Sequence, residues 1–209
     1  MPRTRKEALA HLKQVDPHLY HHTLPHHTSL PAQLTGKKTR TQLFESLVST
    51  VISQQLGLAA ADAIFARVKK ACGGRLTPES VSRVRLAMFR KTGLSGAKIK
   101  TLKGIAAAVK DGSLDLLSLK KIPEAEAADM LMQLWGLGPW SVEMFLMFGL
   151  GRNDVFSSGD LGLIRAMETI YSLPKGVPRS TLLAIAEKWS PYRTYASLLL
   201  WRTRDTKGG

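Results

Sequence analysis

Two features of the 209-residue chain could do chemistry. One is a glycine turn, Gly136-Leu137-Gly138, followed at once by Pro139. The other is a lone carboxylate, Asp160, set among small residues before another helical pattern. Glycines let a backbone approach a ligand closely, and Pro139, which lacks an N–H, suits the first position of a helix. The N–H groups opening that helix would point at a phosphate, with the helix dipole behind them. An ordinary helix-turn-helix corner has the same local sequence. Asp160 reads first as an N-cap. A carboxylate in a shielded pocket can also stabilise the oxocarbenium charge that develops as a glycosidic bond breaks, and it can orient or activate water. The two roles are compatible. Asp154 is a rival acid, but it precedes Val155-Phe156 and reads as a loop residue.

These groups need a scaffold with an anionic partner. The formal charge is +14, which favours nucleic acid. Residues 67–121 hold fourteen Lys/Arg against Glu79, Asp111 and Asp115, and a phosphate backbone rewards such a cluster through counterion release. Cys72 is the only cysteine, so no disulfide or cysteine-ligated cluster forms within the chain. No apolar run reaches ~18 residues, and no apolar signal region follows the first charges. A soluble, intracellular protein without a membrane partner is expected.

The elements that must position the two features are helical. Residues 1–40 read as a basic, His-rich arm carrying His11, His18, His21, His22, His26 and His27. No carboxylate or cysteine is placed to complete a metal site there, and Pro25 breaks any helical register, so a polar arm on the surface is expected. Leu43, Phe44, Leu47, Val48, Val51 and Ile52 form one apolar face at helical spacing. Further helices are expected over 59–71, from Thr77-Pro78-Glu79, from Ser95, from Pro123 through Leu134, from Pro139 through about Phe148, from Asp160 to Tyr171, and after Pro178 and Pro191. No stretch alternates with period two. The class is all-α, with about nine or ten helices.

Five ordered motifs carry a family resemblance: VISQQL at 51–56, GLSGAKIKTL at 93–102, LWGLGPW at 134–140, DVFSSGDLGL at 154–163 and WSPYRTYASLLLW at 189–201. Over about residues 41 to 203 the chain resembles the alkylpurine (3-methyladenine type) DNA glycosylases of the helix-hairpin-helix (HhH-GPD) superfamily. The resemblance implies a two-lobed glycosylase core over 41–209, with the helix-hairpin-helix at about 124–149. It implies a monofunctional enzyme of base excision repair that flips alkylated purines, such as 3-methyladenine or 7-methylguanine, out of damaged double-stranded DNA and leaves an abasic site.

The same resemblance assigns residues. Asp160 falls on the catalytic aspartate. Gly136, Gly138, Trp140 and Ser141 fall on the phosphate-binding hairpin. Gln55, or alternatively Leu56, falls on the side chain that plugs the gap left by the flipped base, with Gly57 beside it at the DNA. Trp140, Trp201 and Met144 fall on the base pocket, where indoles would attract a cationic purine. Trp135 and Trp189 are left as core fillers. The carbonyls of Met132, Leu134 and Leu137 fall on ligands of a monovalent cation, Na+ or K+, held when DNA is bound; no other cofactor is required. Relatives that also cut the strand carry a Schiff-base lysine where this chain has Trp140, and tryptophan cannot form an imine, so no lyase activity is expected. Those relatives often hold an iron–sulfur cluster through four cysteines, which Cys72 alone cannot supply.

Three departures stand out. Ser157-Ser158-Gly159 replaces the commoner Gly-Pro form before Asp160, Gly57 stands where many relatives have Ser or His, and, with about 40 residues ahead of the shared core, the N-terminal β domain of some bacterial relatives is not expected. A non-catalytic or weakly active lesion binder with the same fold is the alternative, and an enzyme for an oxidised or deaminated base is a second. A monomer is expected, in the nucleus if eukaryotic and in the cytoplasm if bacterial.

Overall fold

The computed structural model describes residues 4–34 and 37–205. In chain order its α-helices are α1 (Arg5–Val15), α2 (Pro17–His22), α3 (Arg40–Ser53), α4 (Leu58–Ala71), α5 (Pro78–Arg83), α6 (Leu86–Lys91), α7 (Gly96–Asp111), α8 (Glu124–Met132), α9 (Pro139–Met144), α10 (Leu161–Ile170), α11 (Arg179–Glu187) and α12 (Arg193–Asp205). Among the described residues the only β pairing is an isolated bridge between Thr4 and Gln33, so the fold is all-α as expected. Twelve α-helices exceed the nine or ten expected because α1, α2 and the short α6 were not read from the pattern. No described helix is long and apolar enough to cross a membrane. The chain forms two compact units, residues 36–150 and residues 1–35 with 151–209.

In the 36–150 unit, local chemistry sets the helix starts. Thr39 opens α3 with a capping box to Gln42, and α3 then buries Leu43, Phe44, Leu47, Val48, Val51 and Ile52, the face its spacing predicts. Thr77 caps α5 by accepting the Ser80 N–H, and Ser80 closes the box in return. Ser95 caps α7 through the Lys98 N–H. Helices α8 and α9 flank the glycine turn. The helix from Pro139 does not run unbroken to Phe148; after Met144 it widens into a π turn, Phe145–Gly149, whose mark is a 2.9 Å bond from the Leu150 N–H to the Phe145 carbonyl. The successive side chains of Phe145, Leu146 and Met147 are all buried there. An isolated helix pattern does not report such a turn, which is set by packing.

The other unit differs most from expectation. Residues 5–29 are folded helices rather than a surface arm. Thr4 caps α1 with Glu7 in a capping box, and Ala8, Leu12, Leu19 and Leu30 join one core with Leu163, Met167, Trp189 and Tyr195. Asp16 is the polar hub of this core, only 7% exposed. It caps α2 through the Leu19 N–H at 3.0 Å and accepts from the Tyr171 hydroxyl at 2.6 Å and the Trp189 indole N–H at 2.8 Å. Burial and the Asp16 carboxylate hold the Tyr171 phenol well above its usual range. Two of the histidines bond within this unit: His27 is buried against the Thr23 hydroxyl, and the exposed His18 bonds the Ile170 carbonyl at 2.7 Å.

Candidate active site and DNA interface

Asp160 is the N-cap of α10. Its Oδ1 accepts the Leu163 N–H at 2.9 Å and the Trp201 indole N–H at 2.9 Å. The cap fixes the direction in which the carboxylate faces. Both donors converge on this one oxygen at the N-terminal end of α10. Trp201 thus has a polar role, holding the carboxylate through its indole N–H. The loop leading to Asp160 is anchored by the start of α12: buried Thr194 accepts the Val155 N–H and donates to the Arg152 carbonyl, while Arg193 pairs with Asp154 at 2.9 Å. Asp154 is accordingly a structural loop acid. Ser157 is fully buried and its carbonyl accepts the Asp160 N–H at 3.2 Å.

Sequence reasoning missed Gly162. A Cβ there would lie 2.9 Å from the Asp160 Oδ1 and 3.1 Å from the Trp201 Nε1. The absence of a side chain in the first turn of α10 leaves room for the carboxylate–indole bond. The available signal was a glycine inside a helix, where it is otherwise unfavourable.

The two hairpin glycines play different parts. Gly136 has φ +86°, and an added Cβ would land on the Thr101 hydroxyl of α7. Its missing side chain serves packing rather than ligand approach. Gly138, by contrast, faces open space where a Cβ would meet nothing within 4 Å, and it is the N-cap of α9. Ligand approach is available at Gly138. The turn itself is closed by the Leu137 N–H on the Leu134 carbonyl at 3.1 Å.

A monovalent cation suits the expected carbonyls in chemistry. Met132 ends α8, so hard oxygen donors lie at the negative end of a helix dipole. The bonded Leu134 carbonyl keeps a second lone pair.

Gln54 links the hairpin to the end of α3. Its amide nitrogen donates to the Gly136 carbonyl at 3.0 Å and to the Ser141 hydroxyl at 2.8 Å. Gln55 follows with φ 55°, the left-handed region that few non-glycine residues adopt. Gln55, Leu56 and Gly57 are all exposed. Lys98 caps this helix end, giving its ammonium to the Ile52 and Gln54 carbonyls at 2.8 Å each, and burial pushes its pKa below the ordinary lysine value. The contacts of Gln54, Lys98 and Thr101 have no signal in the sequence, since they depend on residues far away in the chain.

Of the expected pocket residues, Trp140 is half-buried and Met144 buried, both on α9 in the 36–150 unit. Trp201 lies with Asp160 in the other unit. Ser141 is buried against Gln54, so its hydroxyl is engaged within the protein. Trp189 fills the core. Trp135 does not: it is 53% exposed, with the Lys100 ammonium 4.1 Å from its ring centroid. A tryptophan next to a turn has no local signal that tells core from surface. The basic segment is also divided. Arg67, Lys69, Lys98, Lys103 and Lys120 are bound to carbonyls or to Glu45 within the unit, whereas Lys70, Arg75, Arg83, Arg85, Arg90, Lys91, Lys100, Lys110 and Lys121 are exposed.

The chain is similar to several known proteins. DNA-3-methyladenine glycosylase 1 of Schizosaccharomyces pombe is 36% identical over 163 residues, covering 77% of this chain and 72% of the relative. The structure of the 3-methyladenine DNA glycosylase of that yeast, in complex with abasic DNA, superposes with a TM-score of 0.81 at 31% identity, covering 95% of this chain and 97% of the other. The DNA-3-methyladenine glycosidase of Bacillus halodurans matches with a TM-score of 0.74 at 33% identity, over 94% and 90% of the two chains. Residues 48–191 match the model of the HhH-GPD superfamily base excision DNA repair proteins. A glycine hairpin, an aspartate-capped helix after it and these matches together place the chain in the HhH-GPD superfamily.

Proposed function

We propose that the protein is a monofunctional DNA glycosylase that extrudes an alkylated purine and hydrolyses its N-glycosidic bond. The observation that carries this reading is Asp160, held by the α10 N–H and the Trp201 indole. Its relatives are named for 3-methyladenine, and one of them is bound to abasic DNA, the product such chemistry leaves.

The C1′–N bond breaks with its electron pair passing to the base, and positive charge develops on the sugar. The fixed negative charge of Asp160 stabilises that charge and orients a water whose oxygen bonds to C1′ while its proton leaves to solvent or to Asp160. A methylated purine carries positive charge before cleavage and departs readily, so modest electrostatic help suffices. Trp201, beside Asp160 in its own unit, and Trp140 and Met144 of the 36–150 unit are each candidates to contact the base, an indole attracting a cationic base by up to ~2 kcal/mol when desolvated. The backbone around Gly138 and the start of α9 would hold a phosphate. The carbonyls of Met132, Leu134 and Leu137 would hold a monovalent cation whose charge favours phosphate nearby. Trp140 offers no amine, so no covalent imine forms and the strand stays uncut.

The test is base release from methylated duplex DNA. Asp160→Asn should lower release by orders of magnitude while abasic-duplex binding stays near wild type. Borohydride should trap no adduct on an abasic duplex. Wild-type binding without base release would favour the lesion binder, and a trapped adduct would refute the hydrolytic route.

A further inference from the structure

We infer that Gln54 is a positioning residue that locks the plug turn to the phosphate-gripping hairpin, so that grip and plug insertion occur as one event. The inference rests on the glycosylase reading above and extends it to a residue outside the expected site. Its basis is a set of contacts within the 36–150 unit.

The Gln54 amide reaches both sides of the hairpin turn. One contact is the Gly136 carbonyl before Gly138, and the other is the Ser141 hydroxyl on the first turn of α9. A carbonyl can only accept, so the atom facing Gly136 must be the amide nitrogen. That nitrogen has two hydrogens, enough for both partners. The main chain of the same residue is held from the opposite direction: Lys98 donates to the Gln54 and Ile52 carbonyls. Helix α3 therefore ends without satisfying these carbonyls itself, and α7 supplies the missing donor. The next residue, Gln55, is then turned to φ 55° and exposed. A left-handed non-glycine residue persists where its surroundings over-determine it. Here the surroundings are Gln54 and Lys98. A plug must also be stiff along the stack, because a loose turn loses the extrusion energy as loop entropy. Anchoring the turn to the hairpin supplies that stiffness and aligns the plug with the gripped strand.

The experiment uses the full chain and four proteins: wild type, Gln54→Glu, Gln55→Ala and the double variant. Glu keeps the shape of Gln but removes both donors and sets an oxygen against the Gly136 carbonyl. Each is assayed for base release from matched and mismatched methylated duplexes, and for unstacking of 2-aminopurine placed opposite an abasic site. Losing a hydrogen bond and leaving its partner unpaired corresponds to roughly a tenfold loss, and that loss is expected on the matched duplex, with a smaller one on the mismatched duplex. In the Gln55→Ala background, Gln54→Glu should add little. Ser141→Ala, which removes one acceptor, should give a weaker version of the same pattern and guards against a Gln54→Glu protein that fails to fold. Equal losses on both duplexes, or losses at Gln54 and Gln55 that multiply independently, would overturn the coupling. Absence of base release in wild type would overturn the glycosylase reading instead, and the 2-aminopurine signal would still test the coupling.

Discussion

Gly136→Ala separates the two hairpin glycines, one packed against the fold and the other facing open space. At φ +86° an alanine costs about 1–2 kcal/mol for its left-handed backbone. Its Cβ would also fall on the hydroxyl of buried Thr101, which is already bonded to the Ala97 carbonyl at 3.1 Å. Overpacking of that kind costs about 1–3 kcal/mol, so the total expected loss is roughly 2–5 kcal/mol. Thr101→Ala removes the hydroxyl and methyl that the new Cβ meets and leaves only the Thr101 Cβ at 3.1 Å, so the double variant should recover about 1–3 kcal/mol of that loss. Gly138→Ala is the contrast: its Cβ meets nothing, its backbone is ordinary at φ −102°, and it should cost at most about 1 kcal/mol as a poorer N-cap. That variant should weaken abasic-duplex binding instead. The assay is equilibrium denaturation of the five proteins by tryptophan fluorescence and far-UV circular dichroism, with coincident transitions required, alongside duplex titration. A Gly136→Ala loss under about 0.5 kcal/mol, or additivity of the Gly136 and Thr101 changes within about 0.5 kcal/mol, would refute the packing argument. Unchanged duplex affinity in Gly138→Ala would remove the hairpin from the DNA interface.

Gly162→Ala should raise helix propensity yet crowd the Asp160–Trp201 bond, and a small misplacement of that kind should lower base release roughly tenfold or more at unchanged stability; full activity would show that the bond is dispensable. Asp16→Ala leaves the Tyr171 hydroxyl and Trp189 N–H without their shared acceptor, at about 1–3 kcal/mol for each buried group, and a melting temperature equal to wild type would refute its role as a hub. Duplex affinity should fall steeply with salt, by a log–log slope of about −0.9 per phosphate neutralised. Lys100→Ala should flatten that slope, whereas Lys103→Met, which loses two internal carbonyl bonds, should lower stability with the slope unchanged; the reverse pattern would refute the division of the basic segment.

What the sequence determined by itself was local. Thr77, Ser95 and Asp160 were legible as helix starts because a cap acts over three residues. The apolar face of α3 was legible because helical period is a property of one segment. Ordered motifs carried the family. Tertiary structure decided everything that needed a partner distant in the chain. Trp135 and Trp189 are the same residue type in helical surroundings, yet one lies in solvent and the other in the core, because burial depends on what packs against a side chain. Residues 5–29, polar in composition, fold because Leu12, Leu19 and Asp16 meet Trp189 and Tyr171 from more than 150 positions away. Gly136 belongs to Thr101, and Gln54 to Gly136 and Ser141. No spacing rule links those pairs; only the packing of α3 and α7 against the hairpin brings them within bonding distance.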